Sequence, residues 1–122
     1  MADTIETLHG IRALFCDPNG PIIRSDRDAV DLIGTALSER CGLVVLPVER
    51  LSNGFFQLKT RILGDVIQKF VNYERRLVIL GNIDRHLETS KALRDFVYET
   101  NRGRQVWFVA DRAQLESRLQ SG

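Results

Sequence analysis

FFQLKTRILGDVIQKFVNYERRLVILGNI, residues 55–83, decides the fold, and LRDFVYETNRGRQVWFVAD, residues 93–111, repeats its logic. In the first stretch Phe56, Leu63, Val66, Ile67, Phe70 and Val71 recur at helical spacing, which predicts a helix over 55–72. That helix runs into 76–80, Arg-Leu-Val-Ile-Leu, an apolar run without alternation that ends at Gly81. Continuous apolar strands are typical where helices cover both faces of a sheet. In the second stretch, Thr89 or Ser90 caps a helix that reaches about residue 102, with Leu93, Phe96 and Val97 inward and Gly103 placed to terminate it. A strand over 105–110 follows. Helix into apolar strand, twice, is the pattern of a small α/β domain with parallel strands.

Working outward, 4–9 and 12–16 read as two strands around His9-Gly10-Ile11, a hairpin with glycine at its turn. DPNGP, 17–21, is a turn cluster. Ser25 with Asp28 three residues on resembles a capping box. The helix it opens carries Val30, Ile33 and Leu37, runs to about residue 40, and ends at Cys41-Gly42. Leu-Val-Val-Leu, 43–46, is another continuous apolar strand closed by Pro47, and a polar loop over 49–54 follows. Asn82 to Glu88 reads as a second polar loop. Asp111 with Gln114 caps a last helix anchored by Leu115 and Leu119. The order is β-β-α-β-α-β-α-β-α, in a mostly parallel or mixed sheet packed by helices, with 43–46, 76–80 and 106–109 as adjacent parallel strands. Phe70, Leu93, Phe96 and Trp107 are expected in the core. No linker, repeat or low-complexity stretch divides the chain, so 1–122 reads as one domain.

Composition narrows the function classes. Hydrophobic residues make up 43% and charged residues 27%, which suits a folded globular chain and excludes a disordered one. Seventeen basic against sixteen acidic residues leave +1, which weighs against a nucleic-acid partner. Apolar runs are far shorter than the roughly 20 residues a bilayer requires. The first ten residues, MADTIETLHG, lack the basic and apolar regions of a secretion signal. Cys16 and Cys41 match no zinc or CxxC spacing and read as small buried apolar residues in a reducing, cytoplasmic setting.

QKFVNY and YETNRGRQV, within the two stretches quoted above, resemble the bacterial family called domain of unknown function 4180; the matching blocks cover roughly half the chain. That resemblance implies small proteins with no assigned activity. The element order is similar to the STAS fold of anti-sigma-factor antagonists, with an N-terminal hairpin followed by alternating strands and helices. STAS domains are switch modules, and many carry a phosphorylatable Ser or Thr in the loop after the third strand, at the start of the second helix. Here Asn53-Gly54 stands at that place, Ser52 lies one position early, and the usual Asp-Ser or Asp-Thr pair is absent. This departure weighs against phosphoswitch chemistry.

In open α/β sheets ligands bind beyond the carboxyl ends of the strands. The loops there hold Glu49, Arg50, Ser52, Asn53, Asn82 and His86, the candidate binding or switch residues. Ser52 or Asn53 is expected as the N-cap of the second helix, with a phosphate site at that helix start as the competing reading and Arg50 as its counter-charge. Asp84-x-His86-x-Glu88 offers one imidazole between two carboxylates, short of a convergent metal site. No metal or organic cofactor is expected, since no HExxH, Walker, GxGxxG or GxSxG motif occurs. Arg75, Arg76, Arg102 and Arg104 fall where two helices turn into their strands, at the opposite end of the sheet. They are either cations favoured at helix C-termini or an anion patch. The function these features support is a non-enzymatic regulatory or protein-interaction module with a protein partner. The alternative is a small-molecule or anion-binding domain, or a weak enzyme, using the strand-end loops. A nucleic-acid role ranks third, and a homodimer stays open.

Overall fold

Five strands form one mixed sheet in the order β1-β2-β3-β4-β5 in the computed structural model, which describes residues 3–121. Residues 1, 2 and 122, included in the domain reading, lie outside the described residues. β1 (Thr4–Leu8) and β2 (Ile11–Phe15) are the antiparallel hairpin. Its two turn residues, His9 and Gly10, both have positive φ, the two-residue turn whose twist matches the strands. β3 (Leu43–Pro47), β4 (Arg76–Leu80) and β5 (Val106–Val109) continue from β2 in parallel, so the three apolar runs are adjacent parallel neighbours as predicted.

The lack of alternation in these strands has its cause in the two layers around them. One face packs on α1 (Asp26–Ser38), α2 (Ile62–Asn72) and α4 (Lys91–Arg102) through Ile33, Ala36, Leu63, Val66, Phe70 and Leu93. The other packs on α5 (Arg112–Ser121), where Leu115 and Leu119 meet Leu43, Val45, Val78 and Trp107. Phe70, Leu93 and Trp107 are buried, whereas Phe96 is only half-buried, because it lies at the margin of the α4 stripe. Cys16 and Cys41 are buried free thiols. Among the described residues no helix is long and apolar enough to cross a membrane.

Several boundaries differ from the sequence expectation. The second helix begins at Ile62, not Phe55. Phe55 and Phe56 are both buried and meet edge to face at 5.2 Å. A helix would set consecutive side chains about 100° apart around its axis, so the chain turns instead. A 3-10 turn over Leu58–Thr60 and Arg61 in the left-handed region bring it to the helix start. The polar loop after β4 contains a short helix, α3 (Asp84–Glu88), begun by Asn82 Oδ1 accepting from the Asp84 N–H at 2.8 Å.

α1 stops at Ser38, short of the expected residue 40, and α2 at Asn72 as expected, each in the same motif. Arg40 and Glu74 take positive φ; Cys41 N–H reaches Ala36 O at 2.7 Å and Arg75 N–H reaches Phe70 O at 2.9 Å. This is the left-handed helix terminator usually built on glycine; here neither Gly42 nor any other glycine occupies the position. Gly103 is extended rather than left-handed. At the starts, Ser90 and Asp111 cap α4 and α5 as expected, accepting from Leu93 N–H and Gln114 N–H. Ser25 makes no side-chain cap; Asp28 bonds the Arg24 N–H instead.

Candidate functional site

The turns that follow β3 and β4 meet at the carboxyl end of the parallel strands. The chain leaves Pro47 through a 3-10 turn, Val48–Arg50, and leaves β4 through Gly81, whose φ is +142°. A Cβ at Gly81 would sit 2.4 Å from a Val48 methyl, so only glycine lets the two turns approach this closely. Between them lies a cleft of about 200 Å³, lined by Glu49, Ser52, Asn53, Asn82, Arg85 and His86, with Val48, Leu51, Phe56 and Ile83 as its apolar walls.

Five of the six candidate residues therefore converge. Arg50 does not. It is 4% exposed, and its Nε donates to Pro21 O while Nη1 donates to Asp17 O at 3.1 Å. With Ile23 N–H donating to Arg50 O, and an isolated bridge between Ile23 and Leu51, Arg50 clasps the loop after β2 onto the turn after β3. Its guanidinium is spent on the fold and does not serve as a counter-charge for Ser52. Nor does Ser52 or Asn53 cap α2: the helix starts at Ile62, and its amides lie beyond the intervening turn. The competing reading, a phosphate site at Ser52 on the start of the second helix, likewise has no helix start there.

His86 stacks on Phe56 with ring centroids 4.5 Å apart and planes 26° from parallel. Burial against this ring, with the neighbouring Arg85 charge, pulls its pKa below the ordinary 6.5, so the imidazole is neutral at pH 7. The side chains of Glu49, Ser52, Asn53, Arg85 and His86 make no hydrogen bond among the described residues. Asn82 spends only its oxygen, leaving its amide N–H₂ unused. The cleft thus collects hydrogen-bonding donors and acceptors that the fold does not consume. A wider, shallower recess of about 580 Å³ adjoins it and shares Asn53, Phe56, Arg85 and His86. No hydrogen bond joins Ser52 to His86, and no group of three or more metal-ligating side chains occurs among the described residues.

Phe56 and Arg85 went unassigned in the sequence: Phe56 because it was placed on a helix stripe, Arg85 because it sits inside a stretch read as loop. The signal for Arg85 is its place beside His86 in the turn after β4.

The four arginines of the opposite end do not act together either. Neighbouring strand residues point to opposite faces. Arg76 joins the face of Val78 and Trp107, with its guanidinium 4.6 Å from the indole centroid. Arg75 precedes it, half-buried, its Nε buried without a hydrogen-bond partner. Arg102 pairs with Glu99 at 3.4 Å and lies over Tyr98. Arg104 stands exposed beside Arg76, which donates from Nε to Arg104 O at 2.8 Å.

Over residues 8–119 the chain matches the family described as a domain of unknown function, DUF4180, and it belongs to that family. A search of the curated proteins gave no match. A search of the solved structures gave none either.

Proposed function

We propose that this member of the family is a non-enzymatic regulatory module of STAS-like type, working by protein–protein interaction in a bacterial cytoplasm, with the cleft between the β3 and β4 turns as its recognition pocket. The observation that carries the reading is the convergence of Glu49, Ser52, Asn53, Asn82, Arg85 and His86 in one concavity with their hydrogen-bonding groups unspent. The hairpin-led mixed sheet supports the STAS-like comparison. At about 200 Å³ the cleft is smaller than the ~300–1,000 Å³ of pockets that enclose drug-sized ligands. Its size suits one compact polar group, such as a carboxylate or carboxamide side chain. The adjoining recess gives the flanking segment of a protein partner an apolar and polar surface to lie on. Recognition does not need a phosphate on Ser52.

A second reading is favoured by the concavity itself: the same compact group arriving on a free small molecule. Two arms separate them. Immobilised wild type and Arg85→Glu are compared for proteins retained from a lysate of the source cells, and the free protein is titrated with glutamate, glutamine and succinate by NMR. A retained protein that is lost with Arg85→Glu supports the interaction module. Saturable shifts at Asn53, Asn82 and His86 with a free acid or amide, and no Arg85-dependent protein, support the small-molecule reading. If neither response is seen, the cleft is overturned as a binding site.

A further inference from the structure

The amino end of the parallel strands carries a set of arginines that neither the cleft nor the fold uses up. Strand alternation puts Arg76 and Trp107 on one face. α5 crosses that face and brings Arg118 to 4.3 Å from the Trp107 ring centroid. The indole thus holds two guanidiniums by cation–π contact, while its own N–H is fixed on Gly103 O at 2.8 Å. Arg118 spends one nitrogen on Asn101 O, and Arg76 spends Nε on Arg104 O. Their remaining N–H groups, and the whole Arg104 side chain, have no carboxylate within ion-pair distance among the described residues. By contrast Arg12 and Arg102 at this end are paired with Glu39 and Glu99.

We infer that Arg76, Arg104 and Arg118, gathered about Trp107, form a binding site for a compact oxyanion of the phosphate type. Three like charges gathered at one end of the sheet, two of them on one indole, repel, and an oxyanion relieves that repulsion while accepting bidentate bonds from planar guanidiniums. Consistent with this, the Arg76 pKa is lowered by burial and then by the charges of Arg104 and Arg118. A recess of about 350 Å³ opens beside Arg104, Trp107 and Arg118, with the Glu99-paired Arg102 on its rim, and the Ser117 hydroxyl at its edge makes no hydrogen bond of its own. The ligand is a small phosphorylated molecule rather than a nucleic acid. The chain carries only +1 overall, and Trp107 is 4% exposed, so it offers no face for a base to stack on.

Trp107 is the sole tryptophan of the chain, so its fluorescence reports on this site directly. Wild type, Arg104→Gln and, as a control at the other end of the sheet, Arg27→Gln in the first turn of α1 are titrated with pyrophosphate at constant ionic strength, and with a short single-stranded oligonucleotide in a parallel series. The Arg104 side chain is exposed and makes no hydrogen bond, so its replacement leaves the fold intact, which circular dichroism verifies. Wild type should give a saturable change whose midpoint weakens about tenfold in Arg104→Gln and stays put in Arg27→Gln. A linear response with wild type, an equal midpoint in Arg104→Gln, or tighter binding of the oligonucleotide than of pyrophosphate overturns the site.

Discussion

Arg50 and Ser52 stand two residues apart in one turn, and the structure gives them opposite duties. Arg50 is buried and bonded to the carbonyls of Asp17 and Pro21, so Arg50→Ala leaves those oxygens unpaired and should cost about 1–3 kcal/mol in urea melts. Ser52 caps nothing, so Ser52→Ala should change stability by less than about 0.5 kcal/mol. A loss of ~1 kcal/mol or more would restore it as a cap. His86 provides a second test at this scale. Its folded pKa lies below the ordinary 6.5, so in the window between the two values the unfolded chain binds more protons than the folded one. His86 therefore contributes destabilisation as pH falls through that window, and none above it. Since burial is the larger cause and Arg85 the smaller, Phe56→Ala should return the imidazole titration, followed by NMR, closer to 6.5 than Arg85→Gln does. The reverse order would place the charge first.

At the scale of elements, β5 is an edge strand, and its outward Phe108 N–H and C=O are both taken by the Asn101 side-chain amide, at 2.7 and 3.2 Å. α4 thereby pairs the edge with itself and denies it to another chain. Asn101→Leu removes both bonds at once; it should destabilise by about 1–3 kcal/mol and raise the concentration-dependent association seen by light scattering. An unchanged, monodisperse variant would contradict the capping role. Elements were legible where one local signal sufficed. The apolar runs of β3, β4 and β5, the Ser90 and Asp111 caps and the His9-Gly10 turn all follow from nearest neighbours. The misread boundaries depend on tertiary packing. The late start of α2 reflects two adjacent phenylalanines both entering the core, and the α1 terminator at Arg40 is left-handed without a glycine to mark it. Likewise Arg118 could be joined to Arg76 only by knowing which face α5 covers, and Arg50 looked like a surface charge because nothing nearby in sequence shows that the loop after β2 folds over it.

Taken as a whole, the molecule is a sheet with two differently equipped ends. The carboxyl end of the parallel strands concentrates unspent donors and acceptors in a small cleft; the amino end concentrates cations on an indole. Both placements follow from parallel strands, which send every β-to-α turn to one end and every α-to-β turn to the other. The most direct test of the cleft as the recognition pocket is amide hydrogen exchange on the full chain, alone and with the protein retained in an Arg85-dependent manner. The account predicts slowed exchange confined to residues 48–56 and 82–89 on binding. Protection that instead falls on 102–107 and 117–121, or leaves 48–56 and 82–89 unchanged, would contradict it.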